Sequence, residues 1–277
     1  MTRIGGSDLS PAALATAIEA NVVEYWRTCC SFLPGADFHH VPEVTWFVTN
    51  IAAAPWFNQV MLARFAPGQV DASIERTLAL FEARSLPMLW SVTPSTLPPD
   101  QARYLSAHGL TLSSTMAGMA IDLATLSGEP STPSNFTLKR VVASDTMEQW
   151  GDAYIHGFEM DDPPGRILCE LYARIGFADD LPFRHYVGLL DGRPVASSTL
   201  FLGSATAGIW HVGTLPSVRQ RGIGAALTLA PLREAASIGY RVGTLYASMM
   251  GMSVYRRLGF QEYCNVTQYQ WRPSEGL

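Results

Sequence analysis

The chain has 277 residues, of which 48% are hydrophobic and only 16% charged, enough apolar material to bury a sizeable core in one large domain or two modest ones. A formal net charge of -5 with no dense basic run excludes a general attraction for nucleic acid or anionic lipid. No apolar stretch approaches the roughly 20 residues of a membrane-spanning helix, so no membrane partner is expected.

In chain order, "MTRIGGSDLSPAALATAIEA" lacks the long apolar centre of a secretory signal, and the cytoplasm is the expected location. Cys29 and Cys30 follow in a helical-looking segment. With Cys169 and Cys264 they show neither metal-like nor disulfide-framework spacing, so they read as buried thiols and no metal site is expected. Strand-like runs "VTWFVTNI" and "QVMLARF" precede a helix-period segment, "ASIERTLALFEARS", which leads into the strand "PMLWSV". A short helix stopping at glycine, "QARYLSAHG", and the strand "MAGMAIDL" complete this half; its Trp46, Trp56 and Trp90 read as core.

The linker-like stretch "SGEPSTPSN", from Ser127 to Asn135, is dense in Ser, Pro and Gly and divides the chain into 1–126 and 136–277. After it come two amphipathic helical segments, then "RHYVGLLD", "RPVASSTLFL" and "AGIWHVGTL" as a meander, with a hairpin turn at Asp191 and Gly192. The helix "AALTLAPLREAASIGY", the strand "RVGTLYA", the short helix "MSVYRRLGF" and the strand "VTQYQW" repeat the order of elements that closes the first half. The fold class is therefore α/β, a mixed sheet flanked by helices, built as two copies of one unit.

The junction "RQRGIG", Arg219 to Gly224, passes from a strand straight into a helix. Unpartnered N–H groups and the positive end of the helix dipole make such a junction a seat for phosphate. Gly222 and Gly224 let a ligand approach the backbone, and Arg219 and Arg221 add positive charge. The stretch is neither a Walker loop nor a dinucleotide fingerprint, and a plain turn into a helix explains "GIG" as well.

In context, the sequence resembles the GNAT superfamily of N-acetyltransferases from about Phe136 to Trp271. Arg219, Gly222 and Gly224 match its Arg/Gln-x-x-Gly-x-Gly/Ala motif, Pro216 its preceding proline, and Tyr255 with "RRLGF" its later Tyr and "LGF". The resemblance implies acetyl-CoA as acyl donor and a small-molecule or peptide amine as acceptor. It implies that the N–H groups of Arg219, Gln220, Arg221, Gly222, Ile223, Gly224 and Ala225 hold the pyrophosphate. The strand His211, Val212, Gly213, Thr214 then opens from its neighbour and pairs with the pantetheine arm, which is nearly peptide-like; one of its N–H groups polarises the thioester carbonyl.

By the same resemblance Tyr255 is the general acid for the departing thiolate, and its ordinary pKa near 10 keeps it protonated at neutral pH. Candidates for the base are His211, the acidic residues Glu159, Asp161 and Asp162, or a water chain; for His211 a hydrogen-bonded strand histidine is the bland alternative. Glu159, Asp161 and Asp162, between the two helices, are candidates for attracting a cationic amine or for a solvated loop. Ser248 stands where many family members carry Asn for the pantetheine, and Pro231 is expected to kink its helix. In the first half "FAPGQVDASI" replaces "RQRGIGAAL", and Leu105 falls near where Tyr255 aligns, so residues 1–126 are expected to be a degenerate unit without a CoA cradle. The competing reading is a silent CoA-binding sensor or scaffold. The acceptor and the oligomeric state, a homodimer included, stay open.

Overall fold

A computed structural model describes residues 8–273. The chain divides into two compact units, which are not the two halves of the sequence. A first unit joins Trp26–Ala117 to the residues from Cys264 onward; a second joins the residues up to Tyr25 to Gly118–Tyr263.

In the first unit β1 (Asp37–Val41) and β2 (Val44–Val48) form an antiparallel hairpin, and β2 continues antiparallel to β3 (Gln59–Met61). After α2 (Val70–Glu82) the strand β4 (Met88–Val92) returns parallel to β3, as a helical crossover requires. Beyond α3 (Gln101–Ala107) and the start of β5 (Thr111–Asp122), the sheet is completed by the end of β11 (Gln261–Trp271). Thr267 to Trp271 run antiparallel to Val92 to Met88. Ile74 and Phe81 of α2, Trp90 of β4 and Leu105 of α3 are buried together, and Tyr269 and Trp271 of β11 pack against them. Trp90 meets its one polar need by donating from Nε1 to Gln101 Oε1 at 3.0 Å.

The second unit opens with α1 (Pro11–Ser31), of which the residues up to Tyr25 belong here. β6 (Phe136–Arg140), β7 (Phe183–Leu190), β8 (Arg193–Leu202) and β9 (Ala207–Thr214) form the antiparallel meander. Asp191 and Gly192 both take positive φ, 50° and 77°, as the tight β7–β8 turn demands. Between β6 and β7 lie α4 (Ser144–Phe158) and α5 (Asp162–Ile175). α4 buries Met147, Trp150 and Tyr154, and Trp150 Nε1 donates to the Ser198 carbonyl at 2.9 Å. After β9 come α6 (Ile223–Ser237), β10 (Val242–Ala247) and α7 (Met252–Arg257). α6 runs through Pro231 as one helix. Its Glu234 carboxylate receives Arg184 Nη1 at 2.5 Å and the Tyr186 hydroxyl, charge on charge in a mostly buried layer.

A cut at Ser127–Asn135 therefore does not follow the packing. The first helix, as far as Tyr25, belongs with the second half of the sequence: Asn21 Nδ2 donates to the Thr206 carbonyl at 3.0 Å. The closing strands are exchanged as well. β10 has β5 for its neighbour, and β4 has β11.

Candidate active site

The junction from β9 to α6 is built on two glycines with different duties. Gly222 caps α6 at φ 75°, ψ -7°, a left-handed conformation, and a Cβ there would overlap the Ser131 carbonyl oxygen. Backbone geometry alone demands glycine at that position. Gly224 is helical, and the nearest atom to an added Cβ is Thr214 Oγ1 at 3.7 Å, so nothing in the protein demands glycine there. Its missing side chain leaves room where the first-turn N–H groups of α6 emerge. The first backbone bond into the helix is Ala226 N–H to the Gly222 carbonyl, 3.0 Å. Among the described residues, no protein acceptor is bonded to the N–H groups of Gln220 through Ala225. With the helix dipole behind them, these donors form an anion seat. Arg221, exposed beside it, is placed to add charge.

Arg219 does something other than supply charge to that seat. Its Nε donates to the Thr214 carbonyl, and its Nη2 donates to the Gly157 carbonyl and to Glu159 Oε2, each at 3.0 Å. The guanidinium is a tie between the end of β9 and the end of α4. Glu159 is the other end of that tie, and Asp162 lies 3.8 Å from Arg166 Nε. Of the three acidic residues between the helices, Asp161 alone has a carboxylate without a cationic partner among the described residues.

Toward its end β9 is open on the β10 side and bulged on the β8 side. β10 pairs with it only at Gly243↔Ala207 and Thr244↔Gly208, so His211, Val212, Gly213 and Thr214 have no partner on that side. Toward β8, Ser197 faces Gly213 and Thr199 faces Trp210, which leaves His211 and Val212 together opposite Ser198. This is a β-bulge, and His211 takes φ 55° in it. Ser197 Oγ holds the bulge by donating to the His211 carbonyl at 3.0 Å.

The His211 ring stands among the edges of Tyr154 and Trp150, centroids 5.0 and 6.0 Å away. Its Nε2 is 3.0 Å from the Tyr25 hydroxyl, which is 2.6 Å from the Tyr172 hydroxyl. Desolvation pushes the His211 pKa down to about 3, so the imidazole is neutral at pH 7. Tyr255, buried in α7 edge-on to Phe260, is pushed up to about 12 by burial and stays a protonated phenol. Ser248 turns inward on its own loop: its Oγ accepts from Gly251 N–H at 3.3 Å, and its carbonyl accepts from Gly251 and Met252 at the head of α7.

Sequence reasoning did not pick out Tyr25, Tyr172 or His185. His185 is buried on β7, with Nδ1 2.9 Å from Thr199 Oγ1 and Nε2 unpartnered. Only their apolar spacing marks these residues in the sequence, and that spacing says core. Cys29, Cys30 and Cys169 are buried, and Cys264 is half-buried. Among the described residues, no group of three or more His, Cys, Asp or Glu is placed to hold a metal ion.

Residues 146–260, from α4 through α7 and including both the anion seat and Tyr255, match the model of the acetyltransferase (GNAT) family. Over this stretch the chain is similar to GNAT acetyltransferases. Solved structures of GNAT proteins share its fold over nearly the whole of both chains. A GCN5-related N-acetyltransferase from Kribbella flavida superposes with a TM-score of 0.70 at 19% identity, covering 93% of this chain and 97% of its own. One from Sphaerobacter thermophilus gives 0.62 at 18%, covering 99% and 96%. A tandem GNAT protein from the clavulanic acid biosynthesis pathway gives 0.60 at 14%, covering 99% and 98%. At these identities the likeness establishes the fold. No curated protein sequence matches the chain.

Proposed function

We propose that this protein transfers an acetyl group from acetyl-CoA to a primary amine by direct attack, using one active site in the second unit. The observation that carries this reading is the opened strand His211–Thr214 beside a helix start whose Gly224 leaves unused space. The N–H groups of Gln220 through Ala225 hold the pyrophosphate, and the free edge of β9 pairs with the pantetheine amides as an added strand does. At the bulge, a backbone N–H of β9 faces the thioester carbonyl. Tyr255 gives its proton to the departing thiolate, and neutral His211 takes the proton lost by the amine. Much of the rate comes from holding amine and thioester together. Asp161 is the carboxylate best placed to attract a cationic acceptor, with Glu159 and Asp162 partly neutralised by their arginines.

The first unit does not share this role. Where its β3 and β4 diverge, Leu97 pairs with the outgoing chain: its N–H donates to the Ala63 carbonyl and its carbonyl accepts from Phe65, both at 2.9 Å. The chain's own backbone takes the edge that a pantetheine arm needs. In the second unit the corresponding loop after β10 sends Met249 and Met250 into solvent instead.

Calorimetric titration of acetyl-CoA, beside a Gly224→Glu variant, tests the seat; release of CoA against a panel of amino acids, aminosugars, polyamines and peptides tests turnover. Micromolar binding at one site per chain, lost in the variant, is expected. A folded native protein that gives no heat refutes the reading, and binding without turnover on any amine makes the protein a CoA sensor.

A further inference from the structure

The hydroxyl of Tyr25 is a polar atom inside an aromatic cluster. Its ring stacks on Trp210 at 3.8 Å and meets the edges of Phe183 and Phe201 at 5.5 Å, a position that phenylalanine would fill equally well. The hydroxyl bonds to Tyr172 and to His211, and so joins α1, α5 and the bulge of β9. His211 itself is held at φ 55°, a conformation costly for a residue with a Cβ and retained where the surroundings impose it. The other ring nitrogen, Nδ1, has no bond to the protein among the described residues, and His211 is only partly buried, unlike His185. The imidazole is thus anchored through one nitrogen and open at the other.

We propose that Tyr25 is a positioning residue for His211, accepting a hydrogen bond from Nε2–H so that the Nδ1 lone pair is the one presented to the acceptor amine. The inference rests on the reading of His211 as the base. The distances favour this polarity. The 2.6 Å Tyr25–Tyr172 contact has the length of O–H···O, with Tyr25 donating to Tyr172, and the 3.0 Å contact has that of N–H···O. In the reaction, the amine nitrogen bonds to the acetyl carbon and the C–S electron pair leaves with sulfur. Sulfur takes the Tyr255 proton, and the amine proton moves to His211 Nδ1. Nε2–H remains donated to Tyr25 throughout; the proton on Nδ1 passes afterwards to water, and water returns a proton to the Tyr255 phenolate.

Tautomers are read directly from long-range 1H–15N correlation spectra of histidine-labelled full-length protein at neutral pH, with His211 assigned from its disappearance in His211→Gln. The native spectrum is expected to show His211 as the single Nε2–H tautomer. Tyr25→Phe keeps the ring packing and releases the imidazole, so the His211 nitrogen shifts move toward the average of the two tautomers. A native Nδ1–H form, or His211 shifts unchanged in Tyr25→Phe, overturns the proposal. If His211→Gln keeps full turnover, the base reading falls instead, whatever the tautomer spectra show.

Discussion

Asn21 of α1 is bonded to the carbonyl of Thr206 from 185 positions away, and the same helix buries Leu14, Ile18 and Tyr25 in the unit that carries the GNAT motifs. A fragment cut at the linker, residues 127–277, therefore lacks part of its own core. At about 2 kcal/mol per buried side chain the loss is comparable to the whole stability of a typical domain. The expected outcome is a fragment without a cooperative thermal transition. One that melts like the full chain would show that α1 is dispensable.

The two glycines of the anion seat separate fold from ligand. Gly222→Ala puts a Cβ on a left-handed residue and against Ser131, and should lower stability by about 1 to 3 kcal/mol. Gly224→Ala meets only Thr214 Oγ1 at 3.7 Å, so its melting temperature should match the native protein while acetyl-CoA affinity falls. Melting curves and titration calorimetry on the two variants decide it; equal losses of stability would mean that both glycines serve the fold alone.

Tyr255→Phe should reduce kcat by about 100-fold and leave the KM for acetyl-CoA nearly unchanged, because a proton donor acts in the transition state. With the Tyr255 pKa near 12, an alkaline fall in activity below pH 11 must come from another group. A kcat that survives the substitution would remove Tyr255 from the mechanism.

Acid should unfold this protein through two desolvated histidines. His185 and His211 are both held down to about 3, whereas the unfolded chain protonates near the ordinary 6.5. Between those values the unfolded state binds more protons, so stability is complete above pH 6.5 and is lost as the pH falls toward 3. For His185, which is fully buried, the slope approaches about 1.4 kcal/mol per pH unit. Urea midpoints at pH 7 and pH 5 measure it. His185→Phe should shrink the difference, and an unchanged difference would place the acid sensitivity elsewhere.

Much of the second unit is legible in the residues. The Asp191–Gly192 turn requires two left-handed residues, and the strands it joins are buried along nearly their whole length. "RQRGIG" starts a helix because Gly222 can take the left-handed cap, whereas the strand before it has already ended at Thr214 and a 3-10 turn at Pro216–Val218 intervenes. The tie that Arg219 makes is not legible in the sequence for a physical reason: a guanidinium has five donors, and only the fold shows that the carbonyls of Thr214 and Gly157 take two of them. Tyr25 was not legible because a helical tyrosine at apolar spacing looks the same whether its hydroxyl meets water or an imidazole.

What the sequence by itself determined is local: the helix and strand periods, the glycine-capped helix start, and Tyr255 ahead of its "LGF" turn, all set by side chains acting on their own few residues of backbone. Only the tertiary structure decided which pieces make a unit. β5 lies beside β10 and β11 beside β4, and α1 joins the second unit. Strand ladders are made by backbone N–H and C=O groups that every residue but proline carries alike, so two closing strands of similar pattern can each complete either sheet. The choice falls to packing between residues far apart in sequence, such as Trp271 on the core around Trp90, and to bonds such as Asn21 to Thr206.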